Sequence, residues 1–273
     1  MSTLSSVEIL EKTSDASIGK ASGSFWKLLI LAVLAGAYIA FGAQASAMAS
    51  FNLTSDTATL GLGKLVSAAV FPVGLMMVVM CGAELFTGNC LMITGVLERK
   101  IKVSGMLRNW GIVYIGNLIG SLVIVAFMSC SGLWESGGGL LGAAVVKTAV
   151  SKVSFDFGRA FVLGIMCNWL VCLAVWMATG AHETVSKIFS IWFCIGLFVL
   201  SGFEHSVANM YFIPAGIAAS GNDAFVQLAG VDASVLTAGN FVLKNLIPVT
   251  LGNIVGGGMF VGIIYWITNK KLK

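Results

Sequence analysis

Gly82-Ala83-Glu84-Leu85-Phe86-Thr87-Gly88-Asn89 and Gly202-Phe203-Glu204-His205-Ser206-Val207-Ala208-Asn209 each interrupt an apolar run long enough to cross a bilayer. A carboxylate at the centre of a membrane helix costs roughly 2.5–3.5 kcal/mol even on lenient insertion scales, so Glu84 and Glu204 are expected to face a cavity or a protein partner. The glycines and small polar residues around them indicate that the backbone leaves the helix there. Membrane depth tolerates this only where protein or water satisfies the freed amides. Two such breaks in one chain point to a membrane pore.

Composition agrees. Of the 273 residues 58% are hydrophobic and 10% charged, with a mean hydropathy of +0.94, against about 25% charged residues in a soluble domain. The net charge of +4 comes from lysines and arginines outside the apolar runs, which suits membrane topology and anionic headgroups and gives no sign of nucleic-acid binding. Cys81, Cys90, Cys130, Cys167, Cys172 and Cys194 all lie in or beside apolar segments. None has the Cys/His spacing of a zinc or iron-sulfur site, so they are expected to be free thiols, with no metal or cofactor. The first apolar run begins near Phe25, too late for the core of a cleavable signal peptide. Leu4, Val7, Leu10 and Glu11 fall at the spacing of a weakly amphipathic surface helix.

About 20 apolar residues span the hydrocarbon core. On that ruler the chain is all-α and polytopic, with six spans near 25–48, 63–97, 106–130, 158–179, 187–216 and 240–268, the second and fifth broken. Residues 1–24 form an N-terminal segment, 25–268 the channel domain and 269–273 a short tail, while 49–62, 98–105, 131–157, 180–186 and 217–239 serve as polar connections. Eleven basic residues (Lys12, Lys20, Lys27, Arg99, Lys100, Lys102, Arg108, Lys187, Lys270, Lys271 and Lys273) gather on one side and five (Lys64, Lys147, Lys152, Arg159 and Lys244) on the other. By the positive-inside rule both termini are expected to be cytoplasmic.

The two halves repeat each other. Arg108-Asn109 and Gly116-Asn117-Leu118-Ile119-Gly120 match Lys244-Asn245 and Gly252-Asn253-Ile254-Val255-Gly256 at an offset of 136, and the breaks match at an offset of 120 through Gly82/Gly202, Glu84/Glu204 and Asn89/Asn209. Three spans per half is an odd number, so the second half enters from the opposite face. This makes a 3+3 inverted repeat whose broken helices meet near the midplane.

Glu84-Leu85-Phe86-Thr87-Gly88-Asn89, Asn168-Trp169-Leu170-Val171-Cys172-Leu173-Ala174-Val175-Trp176 and Gly202-Phe203-Glu204-His205-Ser206-Val207-Ala208-Asn209-Met210 resemble the signatures of the formate-nitrite transporter family, from about Phe25 to the end of the last span. The resemblance implies an aquaporin-like fold, a homopentamer with one pore per protomer, a bacterial inner membrane, and formate, nitrite or hydrosulfide as the small monovalent anion carried. It also implies roles for single residues. His205 takes the place of the central pore histidine, Thr87 that of the threonine facing it, and Lys152 that of a vestibule lysine. Phe71, Leu75, Phe86, Phe198 and Val171 correspond to apolar constrictions, and Asn168, Glu204 and Asn209 to polar positions supporting the histidine.

Chemistry gives these positions a mechanism. Apolar rings cannot replace an anion's hydration shell, so a weak-acid anion is expected to cross only once neutralised. Lys152 would draw the anion into the vestibule, and proton transfer near His205 would follow, an imidazole being suited to neutral pH. His205 either gives up its own proton or stays neutral and polarises a water or Thr87; both accounts stand at this point. The plainer readings are that Glu84 and Glu204 accept hydrogen bonds from the freed amides, that Lys152 is a solvated loop cation, and that His182 beside Glu183 lies on the surface. A neutral-solute channel would be expected to carry an Asn-Pro-Ala pair at its breaks, where Glu84 and Glu204 stand instead. A membrane enzyme using His205 with a glutamate as acid-base groups lacks a nucleotide loop, a His-Glu-x-x-His motif or a serine-nucleophile signature, so no enzymatic activity is expected.

Overall fold

Ser5 opens the first helix, α1 (Ser6–Ser22), with a reciprocal cap: its hydroxyl accepts from the Glu8 amide, and the Glu8 carboxylate accepts from the Ser5 amide at 2.8 Å. The Ser5 hydroxyl also donates to that carboxylate at 2.7 Å, and the hydroxyl and amide together hold the Glu8 carboxyl below its usual range. In the computed structural model, which describes residues 3–270 and 272, ten further helices follow. They are α2 (Phe25–Ser50), α3 (Leu60–Met80), α4 (Phe86–Leu97), α5 (Val103–Cys130), α6 (Leu140–Val153), α7 (Phe157–Gly180), α8 (Thr184–Ser201), α9 (Ser206–Ala219), α10 (Asp223–Ala229) and α11 (Ala238–Lys270). Six of them, α2, α3, α5, α7, α8 and α11, are long and apolar enough to cross a membrane, and α4 and α9 are shorter apolar helices. Pro72, which lacks an amide donor, bends α3 between Val70 and Val73.

Both expected breaks are present: the chain leaves α3 at Met80 and resumes as α4 at Phe86, and leaves α8 at Ser201 and resumes as α9 at Ser206. The halves are therefore α1–α5 and α6–α11, each a short helix, a span, a broken span and a closing span. Glycines let the first and last spans of each half touch through their backbones. A Cβ on Gly36 would strike the Asn117 carbonyl and one on Gly120 the Val33 carbonyl; in the other half Gly252 and Gly256 meet the Phe161 and Ile165 carbonyls in the same way. Gly111, elsewhere on α5, faces open space.

Two connections differ from the sequence reading. Residues 131–157 are not simply a polar link, because Leu141, Val145, Ala149 and Val153 line one face of α6 and are buried. Fourteen residues rise about 21 Å, too short to count as a span on a membrane ruler. Within 217–239 lies the short helix α10. The N-terminal segment does form a helix, and it is docked: Ile9, Leu10, Ser14 and Ser17 of α1 are buried. The start of α1 meets the end of α11, where Ser6 donates to the Asn269 side-chain oxygen at 2.8 Å. Of the basic residues counted above, Lys271 and Lys273 fall outside the described residues. Ile115, Phe127, Phe193 and Leu243 stand exposed on the outer sides of the spans, a surface suited to lipid.

Candidate functional site

The site is built at the two breaks, and the same parts appear twice. Gly82 and Gly202 end α3 and α8 in the left-handed region, at φ of 72° and 73°, where a side chain would be strained. The first free amide after each break is taken by an asparagine. Asn117 Oδ1 accepts from Phe86 at 2.9 Å, and its Nδ2 donates to the Ala32 and Glu84 carbonyls at 2.8 and 2.9 Å. Asn253 Oδ1 accepts from Ser206 at 2.9 Å, and its Nδ2 donates to the Gly164 and Glu204 carbonyls at 2.8 and 3.0 Å. All side-chain hydrogen-bonding capacity of each amide but one lone pair is thus spent on backbone, two bonds at the break and one to a carbonyl of the neighbouring span, α2 or α7.

The carboxylates do something other than bind freed amides. Glu84 accepts from Lys20 Nζ at 2.7 Å and from Asn89 Nδ2 at 2.7 Å, and Asn89 Nδ2 also reaches Asn109 Oδ1 at 2.8 Å. Glu204 accepts from Lys152 Nζ at 2.8 Å and from Asn209 Nδ2 at 2.7 Å, and Asn209 Nδ2 reaches Asn245 Oδ1 at 2.8 Å. Asn109 and Asn245 close each cluster by donating to the Lys20 and Lys152 carbonyls. Lys20 on α1 and Lys152 on α6 are therefore matched parts of the repeat. Lys152 is not in a loop, since it occupies the last turn of α6. Its ammonium also lies 5.2 Å from the centroid of the Phe212 ring. Neither the Glu204 nor the Asn209 side chain bonds to the imidazole; both are turned to the lysine and asparagine cluster.

His205 and Thr87 are brought together across the centre. Thr87 Oγ1 lies 2.9 Å from His205 Nε2, and both residues are buried. His205 is also the N-cap of α9, its Nδ1 accepting from the Ala208 amide at 3.0 Å. An acceptor at Nδ1 places the proton of the neutral ring on Nε2, which donates to the threonine. Thr87 is itself gripped from behind, its carbonyl accepting from Asn168 Nδ2 at 3.1 Å and Cys172 Sγ at 3.3 Å.

Two hollows flank this pair. On the side of α1 a cavity of about 260 Å³ is bordered by Lys20, Glu84 and Asn89. A second, of about 10 Å³, adjoins His205 and is walled by Ile39, Phe71, Leu75, Leu85, Val171, Ile195 and Phe198. Leu75 and Leu85 belong to both walls and so separate them. Four of the five expected constriction residues line the inner hollow. Phe86 does not: its ring packs edge-on against Tyr114 at 4.9 Å and Trp110 at 5.9 Å, and Leu85 takes the place in the wall. Leu85 is the last extended residue of the break and Phe86 the first of α4, so their side chains leave the chain in different directions and a one-residue choice decides which faces the hollow.

Lys20, Leu85, Asn117, Asn253 and Phe212 were not singled out by the sequence reading. The offset of 136 that paired Asn117 with Asn253 was the signal available for those two. Lys20 needed α1 to be seen as the counterpart of α6.

The model of the formate/nitrite transporter family matches residues 7–267. The chain is 42% identical over 259 residues to a probable formate transporter of Methanothermobacter thermautotrophicus, with 90% of this chain and 89% of that protein covered. It is 40% identical over 262 residues to the formate channel FocA of Escherichia coli K12, covering 93% and 90%. The solved structure of a pentameric formate channel with formate bound superimposes with a TM-score of 0.80 at 37% identity, covering 90% of this chain and 98% of that one. Matched from the first helix to the last, and folded as that channel is, this multi-pass membrane chain belongs to the formate/nitrite transporter family.

Proposed function

We propose that the protein is a channel for small monovalent weak-acid anions, formate foremost, working as a homopentamer in a bacterial inner membrane with the face that carries both termini in the cytoplasm. The observation that carries this reading is the buried His205–Thr87 pair beside an apolar hollow between two broken helices. Relatives named as formate channels and the pentameric neighbour support the substrate and the assembly. The basic residues Lys12, Lys20, Lys27, Lys100 and Arg108 on the side of the termini support the orientation.

The hollow beside His205 has room for at most about one water, so an anion must shed its shell and its charge there and the surrounding side chains must part. Thr87 takes the Nε2–H of His205 on its oxygen, which leaves its own O–H to donate a hydrogen bond to a passing carboxylate. A proton on Nδ1 as well would set two donors face to face and cost the cap on Ala208. His205 accordingly acts as a neutral ring that polarises Thr87, and the proton that neutralises the anion arrives with bulk water through the vestibule. Lys152 and Lys20 offer positive charge at the two approaches. Glu84 and Glu204 are occupied by lysine and asparagine bonds, which leaves neither free to pair with His205 as the acid-base couple of an enzyme.

Proteoliposomes tested for uptake of formate, nitrite and hydrosulfide across a pH series check the reading. Formate flux is expected to rise as external pH falls and to collapse in His205→Ala. Absence of flux for all three anions removes the channel assignment, and equal flux with and without His205 removes the mechanism.

A further inference from the structure

A file of stacked groups runs from Lys152 to the centre of the molecule. The Lys152 ammonium lies over Phe212 at 5.2 Å. Phe212 stacks on Phe71 with centroids 6.5 Å apart and planes at 17°, and Phe71 meets Phe198 edge-on at 5.6 Å. Phe198 in turn stacks on His205 at 6.0 Å and 20°. The matched lysine is placed otherwise. Lys20 borders the 260 Å³ cavity, and its side chain is 29% exposed against 15% for Lys152. The position 120 residues before Phe212 is Met92, so the ring is a departure from the repeat.

We propose that Phe212 is a positioning residue that sets how readily Lys152 accepts an anion, because the ring face and the anion compete for the same ammonium. An ammonium has three donors. Glu204 takes one at 2.8 Å, and the negative face of Phe212 shields part of what remains. An anion that takes the ring-facing side of the ammonium displaces the ring, and the displaced ring gives up its stack on Phe71. Phe71 and Phe198 are walls of the hollow that has to widen for passage, so anion capture and loosening of the wall are joined in one movement. The inference rests on the reading that Lys152 receives the anion, and it adds the residue that tunes that step.

Formate uptake into proteoliposomes, measured as a function of formate concentration, tests it with wild type, Phe212→Tyr, Phe212→Leu, the neutral pair Lys152→Met/Glu204→Gln, and that pair combined with Phe212→Leu. Phe212→Leu keeps apolar bulk without the quadrupole. It is expected to lower the half-saturating concentration about three- to tenfold while maximal flux changes less than about twofold. Phe212→Tyr restores wild-type values, and in the neutral-pair background Phe212→Leu has no effect on half-saturation. An unshifted half-saturation in Phe212→Leu overturns the proposal, as does the same shift in the neutral-pair background or an equal fall in maximal flux for Leu and Tyr. Wild-type protein that moves no formate defeats the channel reading itself, which separates the two failures.

Discussion

Asn117 and Asn253 are one device in two copies, 136 positions apart, each accepting the first unpaired amide beyond a break and donating to two carbonyls around it. Asn117→Leu or Asn253→Leu strands two buried backbone groups at a break, the Phe86 amide and Glu84 carbonyl or the Ser206 amide and Glu204 carbonyl, each worth about 1–3 kcal/mol. Either variant is expected to lose at least about 2 kcal/mol of stability. Melting of the detergent-solubilised protein measures it, and a wild-type transition would show that the breaks are held by something else.

Removing one partner of a buried ion pair leaves the other charge stranded, at a cost of about 3–5 kcal/mol. Lys152→Met is expected to pay it, and adding Glu204→Gln to recover most of it, because the Glu204 side chain is only 4% exposed. Lys20→Met should cost less, since Glu84 is 11% and Lys20 29% exposed and water screens that pair. Thermal melts of the three variants check the order; Lys20→Met falling further than Lys152→Met contradicts it.

Thr87 is assigned its part by a hydroxyl. Thr87→Ser keeps that group and should retain most of the formate flux. Thr87→Val keeps the shape, leaves the His205 Nε2–H without an acceptor, and should lower flux about tenfold or more, a loss of about 1.4 kcal/mol in barrier terms. Comparable flux in Thr87→Val and wild type, with both proteins equally folded, would place the proton relay elsewhere.

Gly120 and Gly111 share α5 and differ in surroundings. A Cβ at Gly120 collides with the Val33 carbonyl, whereas at Gly111 it meets nothing. Gly120→Ala is expected to cost about 1–3 kcal/mol by forcing α2 and α5 apart, and Gly111→Ala to leave stability within about 1 kcal/mol of wild type. Yield and melting temperature of the two purified variants decide it.

Hydropathy, the glutamates at the breaks and the 136-residue offset made the spans and the inverted repeat legible before any coordinates, and the family resemblance set Thr87 opposite His205. What stayed hidden was of three kinds. Helix α6 is apolar on one face and too short for a membrane ruler, so it read as a link and Lys152 as a loop residue. The partner of Glu84 lay in α1, whose amphipathic pattern was weak, and a salt bridge 64 residues apart leaves no local mark. Leu85 is extended and Phe86 opens α4, so the two straddle a helix start where periodicity has no say over which one faces the hollow.

The two halves match in lysine, carboxylate, asparagines and glycine, and they part company where the breaks meet: Leu85-Phe86-Thr87 stands where the other half has His205-Ser206-Val207. The scaffold is even-handed and the chemistry is lopsided, with the imidazole and the hydroxyl each present in one half alone at those places. A lineage could exchange one cargo for another by rewriting those letters while the masonry around them stayed as it was.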